Sequence, residues 1–430
     1  MAALADPRKA SASLRFNGKN VTQTIKPYLE SVTYTDVASG DSDQLDINLQ
    51  NIDGNWLNKW YPTKGDKVSG SFLFENWESA GKDKTLSLGT FTMDEISFTG
   101  GPMVAKFGCV AVPAKEAFRI RERTKTWTNV TVKSIATEIA KRYSLKLTYS
   151  ASSIKISSLE QTDKTDCSFL FEVCETYGLA MKIYSGGIQI YDQTTLEKKS
   201  AVATINRQSF ADDNWTYTDS LLGTYTGARI SYKSSSDNDE ISVYIGLIKE
   251  NASGSRVLKI SETADSQSDA YYKAAAKVNQ SNEEATTISG NIFPNPKIVA
   301  GVCIKITGMG KANGKYFVDK VKTEIGSSGT TQEITAHKCQ TRLKYTPAST
   351  AKKSTSSTKT YKVGDVVQFK GGKHYVSSYS GAKGYTAKAG PAKITKGPDC
   401  KGNGGAHPYH LIHTTSKSNV YGWVDEGTFE

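Results

Sequence analysis

The sequence predicts a mainly β protein with a small α+β insert. Two similar β-barrel domains flank the insert, and a smaller β-barrel follows at the C-terminus. Residues 12–112 and the region after residue 210 are rich in strand patterns, in which apolar and polar residues alternate with period two. The region between them changes to helical spacing, and a polar stretch near residue 346 separates a C-terminal segment of different composition.

The first predicted barrel occupies residues 1–112. Leu45, Ile47 and Leu49 fall on one face of a strand, and turn signals such as Asn17-Gly18 separate the runs. Alternating strands divided by short turns indicate antiparallel pairing in a barrel or sandwich.

The α+β insert is predicted at residues 113–209. Apolar residues at helical spacing indicate a helix that ends near Tyr143, and a second helix has Asp166 placed to cap it and Gly178 to end it. Gly186-Gly187 then separates two short apolar runs, which is typical of a hairpin.

The second predicted barrel, residues 210–345, contains a possible copy of part of the first. Segments 89–96 and 314–321 share the pattern Gly, x, aromatic, x, aliphatic, Asp, x, aliphatic. In both segments the apolar phase changes after the aspartate, Asp94 or Asp319, as a β-bulge would cause. The match favours a repeated domain on either side of the insert.

Residues 346–360 are predicted to form a flexible linker, because they contain no apolar residue larger than Ala, Pro or Thr. The region from residue 346 onward carries 12 Lys, no Arg and five acidic residues, a net charge of +7 out of the chain's +11. Base-specific recognition of nucleic acid relies on arginine, which this region lacks, so we predict no nucleic-acid partner. The positive charge instead favours a diffuse anionic polymer as the binding partner.

The six cysteines are scattered without a CxxC pair, which favours reduced thiols over a disulfide framework. No run approaches the length of a membrane span, and the N-terminal residues lack the apolar core of a signal peptide. We therefore expect synthesis in the cytoplasm of a host cell and no membrane span.

We predict no catalytic residue, cofactor or metal site. His407, His410 and His413 resemble a string of metal ligands, but a spacing of three alternates faces on a strand. A nucleophilic pair of Cys400 with a histidine would need a cleft that a small glycine-rich module rarely has. The aspartates of the first barrel are expected in turns and at the surface.

The C-terminal segment, residues 361–430, intersperses aromatic residues among its lysines. Aromatic faces pack on sugar rings and lysines attract phosphates, so this segment could bind a wall glycopolymer. The alternative is that about half of these rings, with Trp423, form the core of the small barrel. The candidate wall-binding residues are Tyr375, Tyr379, Tyr385, Tyr409, His410 and Tyr421.

Residues 12–345 resemble the phage late control protein D family, the baseplate hub of contractile tails, and the hub portion of type VI secretion spike proteins. The resemblance implies a homotrimer in which two similar barrels per chain form a ring of six. It also implies a place in a virion or tail-like particle, where the ring joins a six-fold tail tube protein to a three-fold spike protein among other baseplate proteins. The residues that carry it are Asn17-Gly18, 43–49, 51–56, 60–62, 64–66, 88–91, 177–179, 288–294, 300–301 and 308–319.

The C-terminal segment resembles bacterial SH3-like cell-wall modules through segments 361–365, 372–376, 407–413 and 421–424. This resemblance implies binding to peptidoglycan or to a wall glycopolymer. The module could instead dock a neighbouring tail protein. The alternative function for the whole chain is a cell-wall hydrolase targeted by this module, although no catalytic domain is visible to support it.

Overall fold

The structure, a computed structural model, describes residues 7–77, 79–101, 103–111, 117–233, 240–346, 361–398 and 405–430. The chain divides into two units, Met1–Tyr345 and Thr346–Glu430. We call the first unit the body. Apart from Thr346, the predicted linker lies outside the described residues.

The strands dominate the described chain, and the helices are few and mostly short. The helices are α1 (Thr22–Ile25), α2 (Ala117–Ile120), α3 (Val132–Arg142), α4 (Asp166–Thr176), α5 (Gln193–Glu197) and α6 (Gln267–Glu283). The strands of the body up to the insert are β1 (Lys9–Phe16), β2 (Lys19–Asn20), β3 (Leu29–Val37), β4 (Gln44–Gln50), β5 (Lys67–Glu75), β6 (Lys84–Thr99) and β7 (Val104–Val110). Those of the insert are β8 (Glu122–Thr131), β9 (Lys146–Ser150), β10 (Lys155–Thr165), β11 (Ala180–Tyr184) and β12 (Gly187–Tyr191). Those that follow in the body are β13 (Ala203–Ile205), β14 (Phe210–Asp219), β15 (Gly227–Lys233), β16 (Glu240–Gly246), β17 (Val257–Ile260), β18 (Thr286–Ile292), β19 (Cys303–Ile306), β20 (Gly314–Gly326) and β21 (Gly329–Lys338). Those of the second unit are β22 (Val366–Phe369), β23 (Gly372–Tyr375), β24 (Gly384–Ala387), β25 (Gly390–Lys396), β26 (Tyr409–His413) and β27 (Tyr421–Val424).

The mainly β fold class with its α+β insert is confirmed, but the two predicted barrels form one continuous 13-stranded sheet. Strands β1–β7 form its first half, and β13, β14 and β18–β21 form its second half. The halves meet where β20 pairs antiparallel with β3, from Lys320 opposite Val37 to Gly326 opposite Ser31. Neither half closes into a barrel among the described strands, because β20 takes the outer edge of β3.

The predicted bulges are confirmed at both aspartates. The pairing of β6 with β7 skips a residue between Met93 and Glu95, and that of β20 with β21 skips one between Val318 and Lys320. The halves also share a strand order, β3-β4-β7-β6-β5-β1 and β14-β18-β21-β20-β19-β13. They differ in that β1 pairs antiparallel with β5, whereas β13 pairs parallel with β19.

The insert has its own apolar core, in which α3 and α4 pack with strands β8–β12. Thr131 caps the N-terminus of α3, and Thr165, whose Oγ1 accepts the N–H of Ser168, caps that of α4. The prediction that Asp166 caps α4 was wrong by one residue. The Asp166 carboxylate is buried and instead accepts hydrogen bonds from Arg142 and Tyr143.

A second small α/β layer interrupts the later half of the body. Strands β16-β15-β17 form a three-stranded sheet, and the Ala-rich helix α6 packs on it. Its core contains Ala228, Ile230, Ala270, Ala274 and Val278. The sequence analysis assigned this region to the second barrel, but its three strands leave the main sheet. None of the described helices has the length and apolar character needed to span a membrane.

The second unit is a six-stranded antiparallel sheet in the order β22-β25-β26-β27-β23-β24. Its inner face packs around Phe369, Ile394, Leu411, Val424 and Phe429. Alternation along each strand therefore leaves the other face available to solvent.

The junction between the halves can be tested at Ile325, which lies on β20 but packs in the core of the first half and is 6% exposed. We expect Ile325→Ala to lower the free energy of unfolding by about 2–5 kcal/mol, because it leaves a cavity between the halves. The matched control is Ile52→Ala at a 75% exposed position, which should cost within about 0.5 kcal/mol. Urea unfolding followed by circular dichroism measures both; equal losses would show that the junction is not packed as described.

Candidate functional site: the sheet junction and the C-terminal aromatic face

A buried ionic cluster lies beside the junction of the two halves. Lys182, from β11 of the insert, donates to Asp36 Oδ1 at 2.8 Å, and its Nζ lies 3.1 Å from Asp43 Oδ1. The Tyr34 hydroxyl donates to Asp43 Oδ2 at 3.0 Å, and the backbone N–H of Ala300 donates to Asp36 Oδ2 at 2.8 Å. One lysine of the insert therefore contacts two buried carboxylates of the first half, which the sequence analysis expected in turns and at the surface. One of them, Asp36, also accepts a hydrogen bond from the second half.

Burial controls the protonation of this cluster. Burial raises the pKa of Asp43 to about 6, and the nearby Lys182 ammonium opposes this rise. Burial by itself would lower the pKa of Lys182, but the charges of Asp36 and Asp43 outweigh it and raise that pKa. Lys182 is therefore cationic at neutral pH, and Asp43 titrates closer to neutral pH than an exposed aspartate does.

A second buried network connects α5, α6 and strands β20 and β21. His337 Nδ1 lies 2.7 Å from Asp319 Oδ1, and its Nε2 lies 3.2 Å from Glu197 Oε1. The Arg342 guanidinium donates to Glu197 through Nε at 2.8 Å and to Glu283 through Nη1 at 2.5 Å. Burial would lower the pKa of His337, but the hydrogen bonds to Asp319 and Glu197 raise it to about 9. The imidazole is therefore cationic at neutral pH.

A cavity of about 350 Å³ opens beside this network, lined by residues of the insert, α6 and β20. Its charged side chains already have partners: Arg342 with Glu283, Asp319 with His337, and Glu175 with Gln280. These pairs connect the elements that form the walls of the cavity.

The second unit carries a group of rings, which we call the aromatic face: His374, Tyr385, His410, Tyr421 and Trp423. His410 lies edge-on to Tyr421 and Trp423, with centroids 5.7 and 5.5 Å apart, and His374 lies 6.2 Å from Tyr385. The N–H of Tyr421 donates to His374 Nδ1 at 3.1 Å, which joins the two groups.

The aromatic face is flanked by positive charge. Lys383 Nζ lies 5.3 Å from the centroid of the Tyr385 ring, and Lys396 pairs with His410 across the sheet. Burial lowers the pKa of both His374 and His410, so both imidazoles are neutral at pH 7. Neutral rings beside lysines suit a ligand with apolar sugar faces and nearby anionic groups.

The predicted wall-binding residues lie in different surroundings. Tyr385, His410 and Tyr421 belong to the aromatic face, and Tyr379 is exposed in the turn after β23. Tyr375 is half-buried and stacks on His407 at 3.5 Å.

Tyr409 must be moved from the candidate surface to the core. It is only 7% exposed and packs against Tyr361 and Phe429, because its neighbour His410 takes the outward position on β26. His374 and Trp423 were missed as members of the face. Period-two alternation of Tyr421 and Trp423 was the available signal for the tryptophan.

The histidine string is spread over separate contacts. His407 Nδ1 lies 2.5 Å from Asp425 Oδ1, His410 Nδ1 lies 2.6 Å from the Thr395 hydroxyl, and His413 bonds to the Val420 carbonyl. Among the described residues no group of three His, Cys, Asp or Glu side chains could hold a metal ion. Cys400, considered as a nucleophile, lies outside the described residues.

The ionic cluster predicts a large effect of Lys182→Met. Two buried carboxylates lose their counter-charge, so we expect the free energy of unfolding at pH 7 to fall by about 3–5 kcal/mol. The loss should shrink as the pH falls, since protonated carboxyls need no partner. Chemical unfolding at several pH values measures this, with Lys155→Met at an exposed position of β10 as control. A loss no larger than that of the control would contradict the cluster's role.

The second network predicts a pH dependence. A histidine whose pKa is raised from 6.5 to about 9 stabilises the folded state fully below pH 6.5, and this contribution is lost as the pH rises through 9. The difference in unfolding free energy between wild type and His337→Gln should therefore shrink by about 3 kcal/mol between pH 6 and 10. A difference that does not vary over this interval would contradict a cationic His337.

No family model matches the chain. The sequence is 26% identical over 230 residues to the probable baseplate hub protein of Escherichia phage P2, covering 52% of this chain and 56% of that protein. It is 26% identical over 175 residues to the probable baseplate hub protein of Escherichia phage 186, covering 40% of this chain and 42% of that protein. The chain thus spans about half the length of the curated relatives it matches.

Among solved structures, the 43 kDa tail protein of prophage MuSo2 from Shewanella oneidensis has a similar fold. The TM-score is 0.55 at 11% identity, and the match covers 77% of this chain and 98% of that protein. At this identity the likeness concerns the fold alone. The chain is therefore similar in sequence to two probable phage baseplate hub proteins and shares its fold with a phage tail protein.

Proposed function

We propose that this chain is a structural hub protein in the baseplate of a contractile phage tail or a tail-like bacteriocin. The observation that carries the proposal is that two halves with the same strand order and the same bulge lie edge to edge in one chain. The similarity to two probable baseplate hub proteins supports it. The protein would be made in the cytoplasm of the host bacterium and would reside in the virion or particle.

In this proposal three copies assemble so that their six halves form a ring. Such a ring can contact a six-fold tail tube protein on one side and a three-fold spike protein on the other, besides other baseplate proteins. An obligate contact of this kind buries on the order of 2,000 Å² or more. The work of the protein is then assembly and symmetry matching, without catalysis.

The proposed domains are two hub domains at residues 1–112 and 210–345, the insert at 113–209, the linker at 346–360 and an SH3-like module at 361–430. A cell-wall hydrolase targeted by the SH3-like module is the alternative, and no observation on the described residues favours it over the hub.

We propose further that the SH3-like module binds peptidoglycan or a wall glycopolymer through its aromatic face. Tyr421 is 64% exposed and Tyr385 is 48% exposed, although the interior of the sheet has its own aromatic core. Rings left in water beside lysines favour a saccharide or glycopolymer ligand.

The hub proposal is tested by the solution mass of the full chain, measured by light scattering at several concentrations. A mass three times that of the chain is expected, since each copy supplies two of six similar units. A stable monomer at all concentrations would contradict a ring formed by this chain alone.

The wall-binding proposal is tested by sedimentation of the full chain with purified Gram-positive cell walls. The double variant Tyr385→Ala/Tyr421→Ala should lose most of the bound fraction, because it removes the two most exposed rings of the aromatic face. Val366→Ala, at a 67% exposed position of β22, is the matched control and should bind as wild type does. Wild-type chain that stays in the supernatant would exclude wall binding.

A further inference from the structure

The two halves of the main sheet carry an identical tetrapeptide at equivalent places. Thr33–Asp36 on β3 and Thr216–Asp219 on β14 both read Thr-Tyr-Thr-Asp. The equivalence follows from the pairing, independently of the sequence. Tyr34 lies opposite Leu45 of β4, and Tyr217 lies opposite Ile288 of β18.

The pairing continues in the same way into the next strand of each half. Leu45 lies opposite Cys109 of β7, and Ile288 lies opposite Ala336 of β21. Cys109 and Ala336 are in turn opposite Met93 and Val318, the residues that precede the two bulges. The two tetrapeptides therefore occupy the same position in the two halves.

The first tetrapeptide is mostly buried, and the second is mostly exposed to solvent. Thr33, Tyr34 and Asp36 are 5%, 4% and 6% exposed, because β20 pairs with the outer edge of β3. In β14, Thr216, Thr218 and Asp219 are exposed and Tyr217 is half-buried. Within the described chain β14 pairs only with β18, so its outer edge offers free backbone groups.

In the first half, part of β6 has an edge that no described strand occupies. On β20, residues 314–317 pair with β19 and residues 320–326 pair with β3. On β6, residues 84–92 pair with β5, but no described strand pairs with residues 95–99 on the edge away from β7. The first half therefore lacks, at residues 95–99, the strand that the second half receives from β3.

We infer that β6 of one copy pairs antiparallel with β14 of a second copy and repeats the junction found within the chain. The register follows from the repeat: Lys322 faces Thr35 within the chain, so Ser97 faces Thr218 of the next copy. By the same rule Phe98 faces Tyr217. Each copy then contributes β6 to the contact with one neighbour and β14 to the contact with another. The contact is therefore heterologous, and it either closes into a ring or continues as a filament.

Side-chain chemistry fits this register. In the internal junction the Thr33 hydroxyl donates to Glu324 Oε2 at 3.0 Å. The equivalent facing residues between copies are Thr216 and Thr99, and facing threonines hydrogen-bond across strands. The inference rests on the proposed hub function for its multi-copy ring and names the edges that would join the copies.

The test is cysteine cross-linking of the full chain carrying Ser97→Cys and Thr218→Cys. Facing residues of antiparallel strands lie within disulfide reach, so oxidation by oxygen with a copper catalyst should join copies into multi-chain bands on non-reducing gels. The control Ser97→Cys with Thr216→Cys is two residues out of register and should give several-fold less product. Wild type measures the background of the native cysteines.

A second control establishes that the oxidation works. Thr35→Cys with Lys322→Cys places the same geometry inside one chain and should form a bridge without raising the chain mass. If this bridge forms and the Ser97/Thr218 pair gives no excess over its shifted control, the inferred edge is wrong. The solution mass then separates the cases: an oligomer rejects this edge only, whereas a monomer also rejects the homotrimer.

Discussion

The body depends on the pairing of β3 with β20. A strand in the middle of a sheet must satisfy its backbone N–H and C=O groups on both edges. β4 does this for one edge of β3, and a strand about 290 residues away in sequence does it for the other. Once β20 takes that edge, neither half is closed by its own strands within the part of the chain that the structure describes. Lys182 holds the insert against the junction. The two halves act as repeated units joined by a backbone ladder.

The ionic clusters follow from this arrangement. Asp36 lies at the junction, so burial there would be unfavourable without the Lys182 ammonium and the Ala300 N–H. Such clusters specify one arrangement of the insert against the sheet, because any displacement leaves a buried charge without a partner. The cluster around His337 and Arg342 does the same between α5, α6 and the second half.

Local sequence patterns predicted the structural features that depend only on residues close together along the chain. The bulges at Asp94 and Asp319 were predictable because each changes the apolar phase within a few residues. The junction was not, because pairing across most of the chain leaves no periodic signal. The repeated Thr-Tyr-Thr-Asp was a signal for it, but four residues gain meaning only when the register shows that they occupy equivalent positions.

For the candidate binding surface, too, local patterns did not predict which residues are buried. Alternation predicts that Tyr409 and His410 point to opposite faces, but the face that is buried depends on how β26 lies between β25 and β27. In this arrangement the face that contains Tyr409 is the buried one. The buried clusters were not predictable either, since their members come together only through folding.

The central claim is that similar halves alternate around a closed ring. Electron cryo-microscopy of the full chain, with class averages viewed along the symmetry axis, tests it most directly. The account predicts six similar lobes with three-fold symmetry, joined alternately by junctions within and between copies. Single-copy particles, or rings whose copies meet through other surfaces, would contradict it.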